Sequence, residues 1–295
     1  MTNSNYTIPN NILSTENSKT TKGEKLGITT YISYLAPHVQ NSKGINLCSH
    51  ASKGCAKACL FKSGAARFDN VQLGKINKTE YFLHNKIGYM NQLVKELARA
   101  ERLHDLVVGE KQLAKNGVDV LRYKKFAVRL NGTTDIPFEK VIIEKGMNIF
   151  DAFPNVQFYD YTKNPIRMKK YLNGELAPNY HLTFSRSEDN DTIVDEILSL
   201  GGSVAIVFGI KDISKLPITY KGYKVINGDE TDLRFLDEPN VIVGLKYKLV
   251  TGKGTKGQNK DNIDNNDFLI DVESLTTESF QDIETILGPG VKELV

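Results

Sequence analysis

Three cysteines stand within twelve residues, Cys48-Ser-His-Ala-Ser-Lys-Gly-Cys55-Ala-Lys-Ala-Cys59, and the other 283 positions contain none. Thiolates are soft ligands suited to zinc and iron–sulfur clusters, and an odd number in so short a span is a poor disulfide framework. The spacing predicts a metallocentre carried on one loop. Two ligand sets are open. With His50, the thiols of Cys48, Cys55 and Cys59 make a Cys3His set that closes a tetrahedral zinc site. Without it, they bind a 4Fe-4S cluster and leave one iron with no protein ligand, available to a substrate or cofactor.

A loop of this kind needs a frame. Gly27-Ile-Thr-Thr-Tyr-Ile-Ser-Tyr-Leu35 is a β-branched and aromatic run that reads as a first strand, and the cysteine loop follows it directly. Asn77-Lys-Thr-Glu80 looks like a capping box, and Tyr81, Leu83, Ile87, Met90, Val94 and Leu97 recur at helical spacing, which predicts a long helix to about Leu103. A second helical piece is expected before Gly117. Strands are then expected at 126–130, 156–160, 180–184, 203–208, 223–226 and 241–245, with helices over 137–149 and from Glu188 to Leu200. Short buried-looking strands separated by crossovers imply a parallel sheet with helices outside it. The expected fold is α/β, a complete or partial (β/α) barrel of six or seven parallel strands, with a doubly wound open sheet as the other solution. Residues 1–24, rich in Asn, Ser and Thr, are expected as a flexible arm before a single domain over 25–295, in which the Lys-, Gly- and Asn-rich stretch 246–267 forms a mobile loop.

In parallel α/β architectures, ligands bind at the carboxyl ends of the strands. The segments at those ends are polar: Asn131, Thr133, Thr134 and Asp135; Asp160, Tyr161, Thr162 and Lys163; Ser185, Arg186 and Glu188; Asn227, Asp229, Glu230 and Asp232. Each of these residues alone is more simply a turn former or helix cap. Their gathering at one mouth, beside the cysteine loop, points to a bound group. Asn131, Thr133 and Ser185 are the expected cofactor contacts, and Asp135, Asp160, Lys163 and Arg186 are expected to face the substrate.

A first strand, a three-cysteine loop and a helix resemble the radical S-adenosylmethionine superfamily. That resemblance implies a 4Fe-4S cluster whose open iron chelates S-adenosylmethionine. The spacing here is C-x6-C-x3-C rather than C-x3-C-x2-C, and Ala58 stands where the superfamily has an aromatic residue. A broader likeness runs from about Leu26 to Tyr247. The segment Lys57-Ala-Cys-Leu60 and the runs 128–136, 153–163 and 182–185 together resemble a bacteriophage family known as gene product 88. This implies a phage-encoded protein working in the bacterial cytoplasm and brings no reaction with it.

Two further readings belong to other classes. Asp135, Asp160, Glu188 and Asp229 would suit hard divalent ions in a metal-dependent phosphoesterase or nuclease, with zinc merely pinning the cysteine loop. Alternatively, Lys246, Lys248, Lys253 and Lys256 would engage a host factor or nucleic acid without turnover. The net charge is +3, from 38 basic and 35 acidic residues, which gives no global field demanding a polyanionic partner. No apolar stretch is long enough to span a bilayer, so a reducing cytoplasm is expected and membrane partners are not. The five histidines are scattered and form no nucleophile–base pattern. Oligomeric state and substrate leave no signal.

Overall fold

The computed structural model of the chain describes residues 6–15, 20–107, 109, 111–113, 121–249, 265–272 and 275. In chain order its elements are β1 (Leu13–Ser14), α1 (Thr20–Glu24), β2 (Ile28–Ser33), α2 (Lys53–Lys57), α3 (Asp69–His84), α4 (Lys86–Asp105), β3 (Lys111–Leu113), β4 (Leu121–Tyr123) and β5 (Lys125–Arg129). There follow α5 (Ile149–Ala152), β6 (Gln157–Thr162), α6 (Pro165–Leu172), β7 (Tyr180–Ser185), α7 (Asp191–Ser199), β8 (Val204–Phe208), β9 (Thr219–Tyr220), β10 (Tyr223–Asn227) and β11 (Ile242–Lys246). Strands such as Val204-Ala-Ile-Val-Phe208 are apolar on both faces, the pattern of a sheet covered on both sides.

Among the described residues nine strands make one sheet in the order β1-β2-β5-β6-β7-β8-β11-β10-β9. The seven from β2 to β10 are mutually parallel; β1 and β9 pair antiparallel at the two edges. From β2 to β8 each new parallel strand adds beside its predecessor, so right-handed crossovers bring the helices to one face. On that face Val128, Leu130, Phe158, Leu182, Phe184 and Ile206 pack against residues of α3 to α7. The alternate residues face the other way. There Ile28, Ala127 and Tyr159 pack on Leu233, from the connection between β10 and β11.

The sheet is therefore open among the described residues, and a complete barrel is not formed. The sequential order that would lead to closure stops where β11 inserts between β8 and β10, and β9 then blocks the outer edge of β10 while β1 blocks that of β2. The second face is covered more thinly, by the short α1, whose Gly23 lies against Thr30 and Leu233, and by the β10–β11 connection with its 3-10 turn at Arg234–Leu236. Asp232, expected at the mouth, instead lies on that second face, 2.8 Å from Nη1 of the buried Arg129.

Local expectations change for local reasons. The long helix is two, broken at Asn85, whose side chain accepts from the Gly88 N–H and caps α4. Asn77 is not a cap: it lies inside α3 and bonds both backbone polar groups of Thr7. The helix over 137–149 reduces to a 3-10 turn at Phe138–Lys140 and the short α5. Between them stand β-branched Val141, Ile142 and Ile143 and a tight turn with positive φ at Lys145 and Gly146. In place of a helical piece before Gly117, β3 and β4 pair antiparallel, and residues 114–120 lie outside the described residues. Part of the stretch expected as a flexible arm is built in, since Ile12 and Leu13 are buried and their N–H groups donate to Glu96. Residues 250–264 of the Lys-rich stretch, with Lys253 and Lys256, lie outside the described residues. The chain then returns to the sheet, where the Ile270 N–H donates to the carbonyl of Val207. No helix among the described residues is long and apolar enough to cross a membrane.

Candidate metal centre

The cysteine loop is held against the carboxyl ends of three parallel strands. At the end of β5 the chain turns sharply, and Asn131 makes that turn: its side-chain oxygen accepts from Thr134 Oγ1 and the Ile136 N–H, and its amide donates to the Ile136 carbonyl and to Asp160. Gly132 permits the close approach to β2, because a Cβ there would stand 2.7 Å from the Ser33 carbonyl and as close to the Tyr34 ring. The turn carries Thr133 to the loop. Its hydroxyl donates to the Leu35 carbonyl at 2.5 Å, and its own carbonyl accepts from the Cys48 thiol at 3.6 Å. The Asp135 N–H donates to the carbonyl of Leu47, pinning the residue before Cys48.

A second anchor comes from the end of β7. The Glu188 carboxylate accepts from Ser52 Oγ at 2.6 Å and from the Gly54 N–H at 2.6 Å, while Ser52 caps α2 by accepting from the Cys55 N–H. A third comes from the returning C-terminal segment, where Asn266 donates to the Gly54 carbonyl at 3.2 Å. Gly54 is enclosed by these groups: an added Cβ would meet both Glu188 oxygens at 2.8 Å and run into Asn266 Oδ1. Ala58 packs with Tyr247, Phe268 and Leu269, and Cys55 borders the same cluster.

None of the three cysteines is in a disulfide, and all are partly buried. Burial pushes the Cys48 thiol up to about 12; the His38 backbone N–H opposes this, and neighbouring Cys59, Asp135 and Cys55 reinforce it. The three sulfurs therefore share one electrostatic neighbourhood. Among the described residues, however, no three His, Cys, Asp or Glu side chains are gathered closely enough to hold a single metal ion. His50, the fourth ligand of the expected zinc set, is exposed, and its Nδ1 shares a hydrogen with Ser49 Oγ.

The polar residues expected around the mouth divide into two groups. Lys163 and Ser185 face each other there, Nζ donating to Oγ at 2.6 Å, with the ammonium 5.4 Å from the centroid of the Phe268 ring. The others are engaged in the frame. Asp135 is 2.8 Å from Arg167 Nη1 and accepts from Thr162 Oγ1 and the Lys163 N–H. Asp160 is fully buried below the mouth, accepting from the Asn131 N–H and the Tyr180 hydroxyl, and burial raises its carboxyl to about 6 against the pull of Arg129 and Arg167. Arg186 binds Asp191 and the carbonyls of Asp267 and Phe268, so it ties the returning segment to β7. Asp229 accepts from the Lys246 backbone N–H and pairs with the Lys248 ammonium, which commits one of the lysines expected for a polyanion to the protein itself. The four acids of a divalent-ion site thus serve separate partners.

Two neighbours of the centre carried no sequence signal. Lys75, on α3, is buried with its ammonium 5.2 Å from the ring centroids of both Tyr34 and Phe61. Burial lowers its pKa, and Cys59 opposes that shift. Phe268 is the second, placed by a chain return of more than two hundred residues. A groove of about 340 Å³, lined by Leu47, Phe82, Lys86, Asp135, Ile136 and Lys140 among others, opens on the outer side of the loop.

An open, singly wound parallel sheet carrying a three-thiol loop at its carboxyl edge defines the class of protein. The chain belongs to the gene product 88 family of phage gene products, whose family model matches residues 11–264. No curated protein and no solved structure matches the chain.

Proposed function

We propose that Cys48, Cys55 and Cys59 hold an iron–sulfur cluster of the 4Fe-4S type, in an enzyme that works in the manner of radical S-adenosylmethionine enzymes. The observation that carries this reading is the anchoring, by Thr133, Glu188 and Asn266, of one loop that carries three thiols, none of them in a disulfide. Three thiolates on one loop are soft donors, and a 4Fe-4S cluster takes one protein thiolate per iron, so a set of three leaves one iron open. When bound, the cluster supplies single electrons and one iron open to an amino acid-like cofactor such as S-adenosylmethionine.

The chain's own residues take definite parts in this reading. The cysteines bind the cluster; Glu188, Thr133 and Asn131 hold the loop and turn in place; Lys163 and Ser185 offer a cation and a hydroxyl to a polar cofactor, with Phe268 as an apolar wall next to Ala58. A reducing cytoplasm keeps the thiols available as ligands. The partial-barrel character is part of the proposal, supported by the in-order parallel strands from β2 to β8.

Replacing each cysteine by serine tests the ligand set. After anaerobic reconstitution, Cys48→Ser, Cys55→Ser and Cys59→Ser are each expected to lose most bound iron, while a substitution at His50 leaves it unchanged. Iron at the parent's level in any of the three serine variants, or loss of metal with His50→Ala, would overturn the assignment.

A further inference from the structure

The positive charge of this chain is concentrated beside its thiols. Between Lys53 and Lys78 six basic residues stand against the single acid Asp69, a net +5, in a chain whose total is +3; all other residues together carry −2. Of these six, Lys75 is buried and Lys78 donates to the Ile12 carbonyl, while Lys53, Lys57 and Arg67 are exposed. Lys53 and Lys57 lie four residues apart on α2 and so share a face, on either side of Cys55 in sequence. None of the three exposed cations makes an ion pair among the described residues.

Apolar surface is interleaved with this charge. Leu60, Phe68 and Leu73 are 43%, 50% and 63% exposed, and the Arg67 guanidinium lies 4.9 Å from the centroid of the Phe68 ring. These residues follow Cys59 through two short 3-10 turns into the start of α3. A half-exposed aromatic ring flanked by a guanidinium is a stacking platform for a flat base, and exposed cations on the same segment of chain answer phosphates. An acidic protein partner would use the cations and leave the ring unexplained. A duplex hides its base faces.

We infer that the exposed segment from Lys53 to Phe68, through Lys53, Lys57, Arg67 and Phe68, binds single-stranded nucleic acid next to the cysteine centre. The inference does not rest on which metal the thiols hold. It is tested on the full chain by fluorescence anisotropy with an oligothymidylate and an oligouridylate of about twenty nucleotides, a duplex of the same length, polyglutamate and anionic vesicles as probes. Single strands are expected to bind more tightly than duplex, with an affinity that falls about as the square of salt concentration for roughly three phosphate contacts. Phe68→Ala is expected to weaken binding about tenfold with the salt dependence unchanged, and Phe68→Tyr to restore it. Lys53→Gln with Lys57→Gln should weaken binding and flatten the salt dependence. No single-strand binding at low salt, displacement by polyglutamate or vesicles as effective as by nucleic acid, or Phe68→Ala indistinguishable from the parent would each overturn the inference. Melting temperature and bound iron, measured in the same variants, separate its failure from failure of the fold or of the metal centre.

Discussion

Arg167→Met is expected to destabilise the folded chain by about 3–5 kcal/mol, the cost of removing one partner from a buried ion pair. The guanidinium is 3% exposed and binds Asp135 at 2.8 Å, Glu139 at 2.9 Å and the Tyr180 hydroxyl. Tyr180 in turn donates to buried Asp160. Methionine fills the volume but leaves the carboxylates without their cation. Arg167→Lys should recover less than half of the loss, because an ammonium cannot match the planar fork that serves three acceptors. The pH response has a definite sign. Asp160 titrates near 6 in the folded chain, above the usual carboxylate value, so the folded state holds the extra proton and this group's contribution to stability falls as pH rises from about 4 to 6. Losing a cation raises that carboxyl further, so the deficit of Arg167→Met should shrink as pH falls from 7 toward 5. Denaturant unfolding at several pH values measures both. A variant within 1 kcal/mol of the parent at pH 7 would show that the network is not the brace described.

The second large effect falls on the metal. Glu188→Ala is expected to weaken metal retention on the order of a hundredfold while leaving the global melt little changed. The carboxylate makes two charge-assisted hydrogen bonds to the cysteine loop, each worth about 1.5–3 kcal/mol, and little else in the fold depends on it. Tenfold in affinity is about 1.4 kcal/mol, so even partial transfer of that loss to the loop suffices. Gly54→Ala should act in the same direction by a different route, pushing Glu188 and Asn266 away from the loop. Iron retained against a chelator is the readout. If Glu188 were instead a ligand for magnesium or manganese, Glu188→Ala would spare the iron and abolish divalent-ion binding.

The parallel strands could be read from the letters because buried strands need runs such as Val204–Phe208 whatever lies beside them. The cysteine cluster was legible for a similar reason: ligands on one loop are close in sequence. Partnership across the fold was not. Nothing near Asp135 announces that Arg167 lies against it, and nothing near Lys163 announces Phe268. Polar residues at strand ends looked like one catalytic ring, yet Asn131, Asp135, Asp160 and Arg186 are occupied in building the mouth, and Lys163 and Ser185 face each other across it. Sheet closure was equally hidden, since strand alternation is common to open and closed sheets and only the insertion of β11 between β8 and β10 decides the matter. The break at Asn85 was masked because apolar spacing continues through it in both helices.

The exposed charge and the thiols describe one edge of the molecule. Lys53 and Lys57 sit on the same short helix as Cys55, and Glu188 holds that helix to β7. Variants that loosen the loop should therefore disturb both properties, whereas Phe68→Ala should disturb only the nucleic-acid surface.

Iron and acid-labile sulfide per chain, measured together with the visible spectrum on protein isolated without oxygen, test the central claim most directly. The account predicts about four of each and a brown protein that bleaches on exposure to air. A colourless, folded protein with one zinc per chain, or one that takes up neither iron nor sulfide on reconstitution, would contradict it.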